Sequence, residues 1–241
     1  MANTPAYRPP FDVTPLAMSL SIDIMTMVGR YEGMMSPQPQ PKLRRANQIR
    51  TVVGSLAIEG NTLSLEQATA VLDHKRVIGS AREIKEVQNA IATYALAASF
   101  NPGKEKHLLD AHRGLTRGLV KDAGRYRGGA VGIFAGSRVT HVAPPAARVG
   151  TLVRQVLGFA DGDKEVHPLV RSAVTHYELE FIHPFSDGNG RVGRLWQHVV
   201  LLRAHPLFAL IPVESVIQTR QEEYYRVLGE CDKAGHSSRF I

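Results

Sequence analysis

Across its 241 residues the sequence has one cysteine, Cys231, so an internal disulfide framework is excluded, and no CxxC or HExxH spacing points to a structural or catalytic zinc. A reducing, cytoplasmic setting fits this shortage. Nowhere do about eighteen apolar residues run uninterrupted, and the opening stretch MANTPAYRPPFDVTP lacks the charged-then-apolar order of a secretory signal. Neither membrane insertion nor export is expected. No low-complexity run argues for disorder, no repeat of about 20 to 50 residues argues for a solenoid, and the phosphate-loop pattern GxxxxGK[ST] is absent. Lysine and arginine (29) outnumber aspartate and glutamate (22), giving a net charge of +7, but the basic residues are spread along the chain. That surplus permits an anionic partner, while a nucleic acid is not expected without a basic cluster or a helix-turn-helix.

What remains is an ordinary globular composition, 44% hydrophobic and 21% charged, long enough to bury a substantial core. Residues 1–41 read as an extended arm with Pro5, Pro9 and Pro10, a helix from Pro15, and a stiff connection SPQPQP from Ser36 to Pro41. Residues 42–241 read as one main domain. Within it, Leu43, Ala46, Ile49, Val53 and Leu56 recur at helical spacing and stop at Gly60, predicting an amphipathic helix over 42–60. Ser64 with Gln67 and Ser80 with Glu83 form capping-box signatures, the second opening a helix expected to run to about Phe100. Leu108, Leu109, His112, Leu115 and Leu119 continue the helical habit. Between Gly124 and Pro145 glycine becomes frequent, and AVGIF and VTHVA flank AGSR, which predicts a small hairpin. Val149, Leu152, Val153, Val156 and Leu157 mark a further helix, and another follows from Pro168 with Leu169, Ala173, Val174, Tyr177 and Phe181 on one face. Pro184 ends it and leaves His183 at the helix exit. The expected fold class is mainly α, a compact helical bundle carrying one β-hairpin.

Chemistry concentrates in HPFSDGNGRVGR, His183 to Arg194. Gly188-Asn189-Gly190 can turn successive N–H groups inward as an anion-binding nest, and the helix beginning at RVGRLWQHVVLL points its free N–H groups at the same spot. Arg191 and Arg194 stand three apart on one helix face, where two guanidinium forks suit a polyphosphate. Asp187 supplies a hard oxygen beside this cationic cradle, natural for Mg²⁺ held between it and phosphates. His183, with an ordinary pKa of about 6.5, can take a proton near neutral pH. Each residue alone has an unremarkable explanation: a helix terminus, a turn, a solvated face. Their coincidence in one loop is what points to a site. GNGRVG also fits the dinucleotide fingerprint GxGxxG, but that fingerprint needs a buried strand before it, and the preceding residues read as a helix.

The stretch resembles the signature of the Fic family, HPFx[D/N]GNGRxxR, at every defined position, and the likeness extends from about Lys42 to the C-terminus, including RYR (125–127), the hairpin and EEYYRVL (222–228). The resemblance implies a compact helical domain that most often transfers AMP from ATP to a hydroxyl of a target protein, releasing pyrophosphate. It implies His183 as general base, Asp187 as Mg²⁺ ligand, Phe185 as the loop's anchor, Gly188, Asn189 and Gly190 as an anion hole, and Arg191 and Arg194 on the β- and γ-phosphates. The hairpin is similar to the family's flap, which aligns a target segment by strand-like pairing. Val139, Thr140, His141 and Val142 would then lie over the nucleotide and Tyr224 beside the adenine. Many relatives have asparagine where this chain has Asp232, which puts the base contact of that position in question.

SLAIEGN, Ser55 to Asn61, resembles the family's inhibitory motif [S/T]xxxE[G/N], comprising Ser55, Glu59 and Gly60. A carboxylate in the last turn of a helix faces the negative end of the dipole, at a cost of a few tenths of a kcal/mol that a cationic partner would repair. The resemblance implies that this partner is Arg194 and that the pairing draws it away from the γ-phosphate. In some relatives the same glutamate supports removal of AMP, and family members often pair as dimers. A nicotinamide-dependent oxidoreductase and a basic nucleic-acid-binding module are the alternatives from other classes.

Overall fold

The structure, a computed structural model, describes residues 7–34, 41–135, 138–162 and 165–241, without the side chains of 132–141. Pro5, most of the SPQPQP connection and the side chains of Val139, Thr140 and His141 therefore lie outside the described residues. Proline opens the first two helices, where its fixed φ is already helical and its missing N–H costs nothing: α1 (Pro15–Met34), with Thr14 Oγ1 accepting from Ala17 N–H at 3.1 Å, and α2 (Pro41–Ile58). A reciprocal capping box starts α3 (Leu65–Leu72), Ser64 and Gln67 each accepting the other's main-chain N–H. Ser80 caps α4 (Ala81–Tyr94) by accepting from Glu83 N–H. This helix stops at Tyr94 instead of continuing to Phe100. The cause is tertiary: residues Ala97–Ser99 tighten into a 3₁₀ turn against a later helix, where Phe100 packs near Trp196 and Trp196 Nε1 donates to Pro102 O at 3.1 Å.

After α5 (Glu105–Thr116), β1 (Gly132–Ala135) pairs antiparallel with β2 (Arg138–Val142), Gly132 opposite Val142 and Ala135 opposite Arg138, with a register shift between Ile133 and Phe134. Then come α6 (Ala146–Gly162), α7 (Pro168–Ile182), α8 (Asn189–Ala204), a 3₁₀ turn (Pro206–Leu210), α9 (Val213–Thr219) and α10 (Gln221–Ala234). Helices α7 and α8 form the central pair. Val192, Leu195, Trp196, Val199, Val200 and Leu201 are all buried, so α8 is enclosed on nearly every side and its N-terminus is a fixed point.

The stripe expected on α2 is only partly the buried one. Ile49 and Leu56 are in the core, but Leu43 and Ala46 are exposed, and Thr51, Val52, Gly54, Ser55 and Ile58 are buried instead. Helix α9 explains the second buried face: a Cβ on Gly54 would lie 2.8 Å from the main chain of Glu214 and Ser215. Helix α1 exposes Leu16, Met18, Leu20, Met27 and Tyr31 beside a groove of about 890 Å³ that reaches Phe208, Val213 and Ile241. Among the described residues no helix is long and apolar enough to cross a membrane.

Candidate active site

The exit of α7 is where the sequence forces an unusual conformation. Pro184 has no N–H and bars helical geometry in the residue before it. His183 leaves the helix not in the extended backbone that a following proline favours but left-handed, with φ 49° and ψ 61°, a conformation costing roughly 1–3 kcal/mol in a non-glycine residue. Several groups hold it there. His183 N–H donates to Leu179 O at 3.0 Å, Arg127 Nε donates to His183 O at 2.7 Å, and Arg127 N–H donates to Pro184 O at 3.0 Å. The imidazole Nδ1 lies 3.4 Å from Glu180 O.

The loop beyond is locked from inside. The Phe185 ring is fully buried and stacks on His112, centroids 3.7 Å apart and planes 9° from parallel. His112 Nδ1 accepts Gly124 N–H at 2.8 Å, so Nε2 carries the proton and donates to Asp187 O at 3.0 Å. Burial lowers the pKa of His112 and favours this neutral form. Asn189 turns its amide back onto the loop, accepting from Phe185 N–H at 2.8 Å and donating to Phe185 O at 2.9 Å.

Gly188, at φ 84°, caps α8 without a side-chain acceptor, which leaves the first N–H groups of that helix available to an anion. One is already near: a Cβ on Gly190 would overlap Glu59 Oε1. Glu59 follows directly on α2, where Asn61 N–H bonds Leu56 O at 3.1 Å and Gly60 N–H bonds Ala57 O at 3.0 Å, a Schellman ending that needs the left-handed Gly60. Its carboxylate accepts from Arg194 Nη2 at 2.6 Å, while Arg194 Nε and Nη2 also donate to Ser55 Oγ and Ser55 O at 3.1 and 3.0 Å. The Arg194 side chain is 1% exposed and that of Glu59 is 34%. Burial works against the arginine's charge, but Glu59 and other neighbours outweigh it and hold its proton more tightly than usual.

Arg191 occupies a second environment. Its side chain is 5% exposed, Nη2 donates to Asp187 Oδ1 at 3.0 Å, and Nη1 is 3.9 Å from Glu86 Oε1. Its Nε and Nη1 have no hydrogen-bond partner, so the buried fork has donors to spare for an anion. Asp187 also faces Arg82 Nη2 at 3.6 Å, so the carboxylate is paired with two guanidinium groups. Arg82 and Glu86 come from α4 and had no signal that tied them to the loop. Among the described residues no group of three His, Cys, Asp or Glu side chains could hold a metal. The single carboxylate of Asp187 fits Mg²⁺ only as an ion arriving with phosphate oxygens.

Of the remaining expected residues, Tyr224 is buried and its hydroxyl lies 2.8 Å from His176 Nε2, with Arg194 and Glu59 in electrostatic range. Asp232 accepts from Tyr177 Oη at 3.1 Å, and Val142 is exposed. GNGRVG follows a helix instead of a strand, and the described residues contain no βαβ unit, so the dinucleotide reading loses its scaffold. The 890 Å³ groove includes none of His183, Asp187, Arg194 or Glu59.

Residues 102–201 match the family described as Fic/DOC. A solved Fic family protein from Desulfovibrio desulfuricans G20 superposes with a TM-score of 0.90 at 50% identity, covering 97% of this chain and 72% of that one. A protein of Nematostella vectensis named protein adenylyltransferase Fic is 30% identical over 211 residues, 80% of this chain and 45% of the relative. One of Caenorhabditis elegans, protein adenylyltransferase fic-1, is 31% identical over 198 residues, 78% of this chain and 37% of the relative. The chain thus spans less than half the length of these curated relatives.

Proposed function

The chain belongs to the Fic/DOC family, and from that premise we propose that it is a protein adenylyltransferase, transferring AMP from ATP to a Ser, Thr or Tyr hydroxyl of a target protein. One observation carries the reading. The imidazole-bearing turn at the end of α7 and the uncapped N-terminus of α8 are joined by a five-residue loop locked through Phe185 and Asn189, with Arg191 and Arg194 buried beside it. In the reaction His183 takes the hydroxyl proton, the oxygen forms a bond to the α-phosphorus, and the bond to pyrophosphate breaks. General base help of roughly 10²- to 10⁴-fold comes from the imidazole, and positioning and charge stabilisation supply most of the rest. Main-chain N–H groups at Gly188, Asn189 and Gly190 receive the phosphate charge, Arg191 and Arg194 hold the β- and γ-phosphates, and Asp187 holds Mg²⁺, which neutralises part of that charge when bound. Adopting the family's flap role for β1 and β2, the target docks on the hairpin, Val139 to Val142 cover the nucleotide, and Tyr224 and Asp232 border the base. Residues 42–241 act as the catalytic unit, in the cytoplasm and as a homodimer.

The resting state is autoinhibited in this reading. Glu59 takes the Arg194 fork and the space above Gly190 that a γ-phosphate needs. Incubation with α-labelled ATP and Mg²⁺ tests both statements: Glu59→Gly labels proteins in a cell lysate strongly, the wild type weakly, and Glu59→Gly with His183→Ala not at all. Equal labelling by wild type and Glu59→Gly would remove the brake, and labelling that survives His183→Ala would remove the mechanism.

A second reading has its own support, since the Glu59 carboxylate is one-third exposed beside the N-terminus of α8, where it could orient a water toward a bound AMP ester. Release of AMP from a modified protein by wild type, with Mg²⁺ and without ATP, and its loss in Glu59→Gly, would favour this reverse reaction.

A further inference from the structure

Arg127 is buried, yet among the described residues no carboxylate pairs with it. Its guanidinium donates instead to four main-chain carbonyls. Ile182 O at 3.3 Å and His183 O at 2.7 Å lie at the end of α7, whereas Gly129 O at 2.7 Å and Pro144 O at 2.5 Å flank the hairpin on either side. The main-chain N–H of Arg127 adds the bond to Pro184 O. A buried cation without a counter-ion is costly unless dipoles replace it, and here the negative end of α7 and two loop carbonyls do so. The demand at α7 is explained locally: the chain turns away at Pro184, so the last carbonyls have no helical donor. The demand at Gly129 and Pro144 has no such local reason. A planar five-donor fork can satisfy both sets at once, and a lysine cannot.

We propose that Arg127 is a positioning residue that fixes the two feet of the hairpin against the His183 main chain, so that a hydroxyl docked on the hairpin meets the imidazole in reacting register. The proposal rests on the AMP-transfer reading above. Its consequence is specific. Transfer to a protein needs the hairpin and His183 in mutual register, while breakdown of ATP to AMP by water needs only the His183 loop. Misplacement by about 1 Å can cost roughly 10²-fold in rate.

The test uses the full chain carrying Glu59→Gly, with and without Arg127→Lys or Arg127→Gln. Three quantities are read: ATP affinity by calorimetry, self-labelling and lysate labelling with α-labelled ATP, and free AMP released to water. Expected for Arg127→Lys are an unchanged ATP affinity, protein labelling down roughly 10²-fold, and AMP release to water reduced much less. A parallel fall of labelling and AMP release, or unchanged labelling, would overturn the proposal. Loss of a cooperative thermal melt in both variants would assign Arg127 to the fold alone and overturn it equally. If the Glu59→Gly parent labels nothing, the AMP-transfer reading fails instead. Hydrogen exchange then decides the coupling: faster exchange of amides 129–144 in Arg127→Lys, with α8 unchanged, supports it, and no difference refutes it.

Discussion

Residues 183–194 and residues 55–61 meet at one ion pair but are fastened differently. The first stretch is held by groups with nowhere else to go: a buried phenyl ring stacked on His112, an asparagine amide closed on Phe185, a guanidinium on the carbonyls of Ile182 and His183. The second is half core and half surface. Ser55, Leu56 and Ile58 are buried, and Gln221 Nε2 donates to Ile58 O at 2.8 Å. Beyond Glu59, exposed Thr62 donates to Glu83 Oε1 through its N–H and hydroxyl, and Asn61 Nδ2 donates to Glu86 Oε2 at 2.9 Å. The difference teaches where movement is cheap. Helix α2 is anchored over its second half, from Asn47 to Ile58, so movement at the α8 N-terminus is cheapest for the one-third-exposed Glu59 side chain.

The contrast can be broken most forcefully at Phe185. Phe185→Ala should destabilise the protein by about 3–5 kcal/mol, seen as a lower denaturant midpoint. A loss below 1 kcal/mol would mean that the ring is not the loop's anchor. Next in size is a pH effect beneath α2. Burial raises Glu214 to a pKa of about 7 from its ordinary 4.5, so between those values the folded protein keeps a proton that the unfolded chain releases. Stability therefore falls as pH rises through this window and levels off above it. Glu214→Gln should flatten that fall, by an amount on the order of 2–3 kcal/mol between pH 5 and 8, in paired denaturation curves. Burial also raises Glu178 to about 7, and it keeps a residual slope.

Asn189→Ala comes third. It strands the Phe185 N–H and C=O and should cost about 1–3 kcal/mol, with nucleotide affinity reduced in calorimetry because the turn loosens. Thr62→Val is the smallest. It removes one exposed hydroxyl bond and should shift stability by at most about 1 kcal/mol, with protein labelling of the otherwise wild-type chain still weak. A strong rise in labelling would show that the 61–62 contacts, and not the side chain of Glu59, govern release.

Much of the loop was legible because its constraints are local. Pro184 dictates the end of α7, and the glycines on either side of Asn189 announce a turn. The ion pair of Glu59 with Arg194 was reachable only through family resemblance, since nothing in SLAIEGN specifies a residue 135 positions away. Arg127, His112 and Arg82 were invisible as site residues because their bonds go to carbonyls or charges supplied by distant segments. Helical spacing missed the burial of Thr51 and Gly54 for a related reason: a helix covered from two directions has no single apolar stripe. The overlong estimate for α4 failed where tertiary contacts around Trp196 outbid local propensity.

The bare α-carbon of residue 190 has a consequence for testing the proposed brake. A methyl group there would evict the Glu59 oxygen, and it would also fill the niche that a phosphate enters in the proposed reaction. On that proposal the carboxylate and a phosphate share one space, so release has to be engineered from the glutamate's side of the gap and not from the floor beneath it.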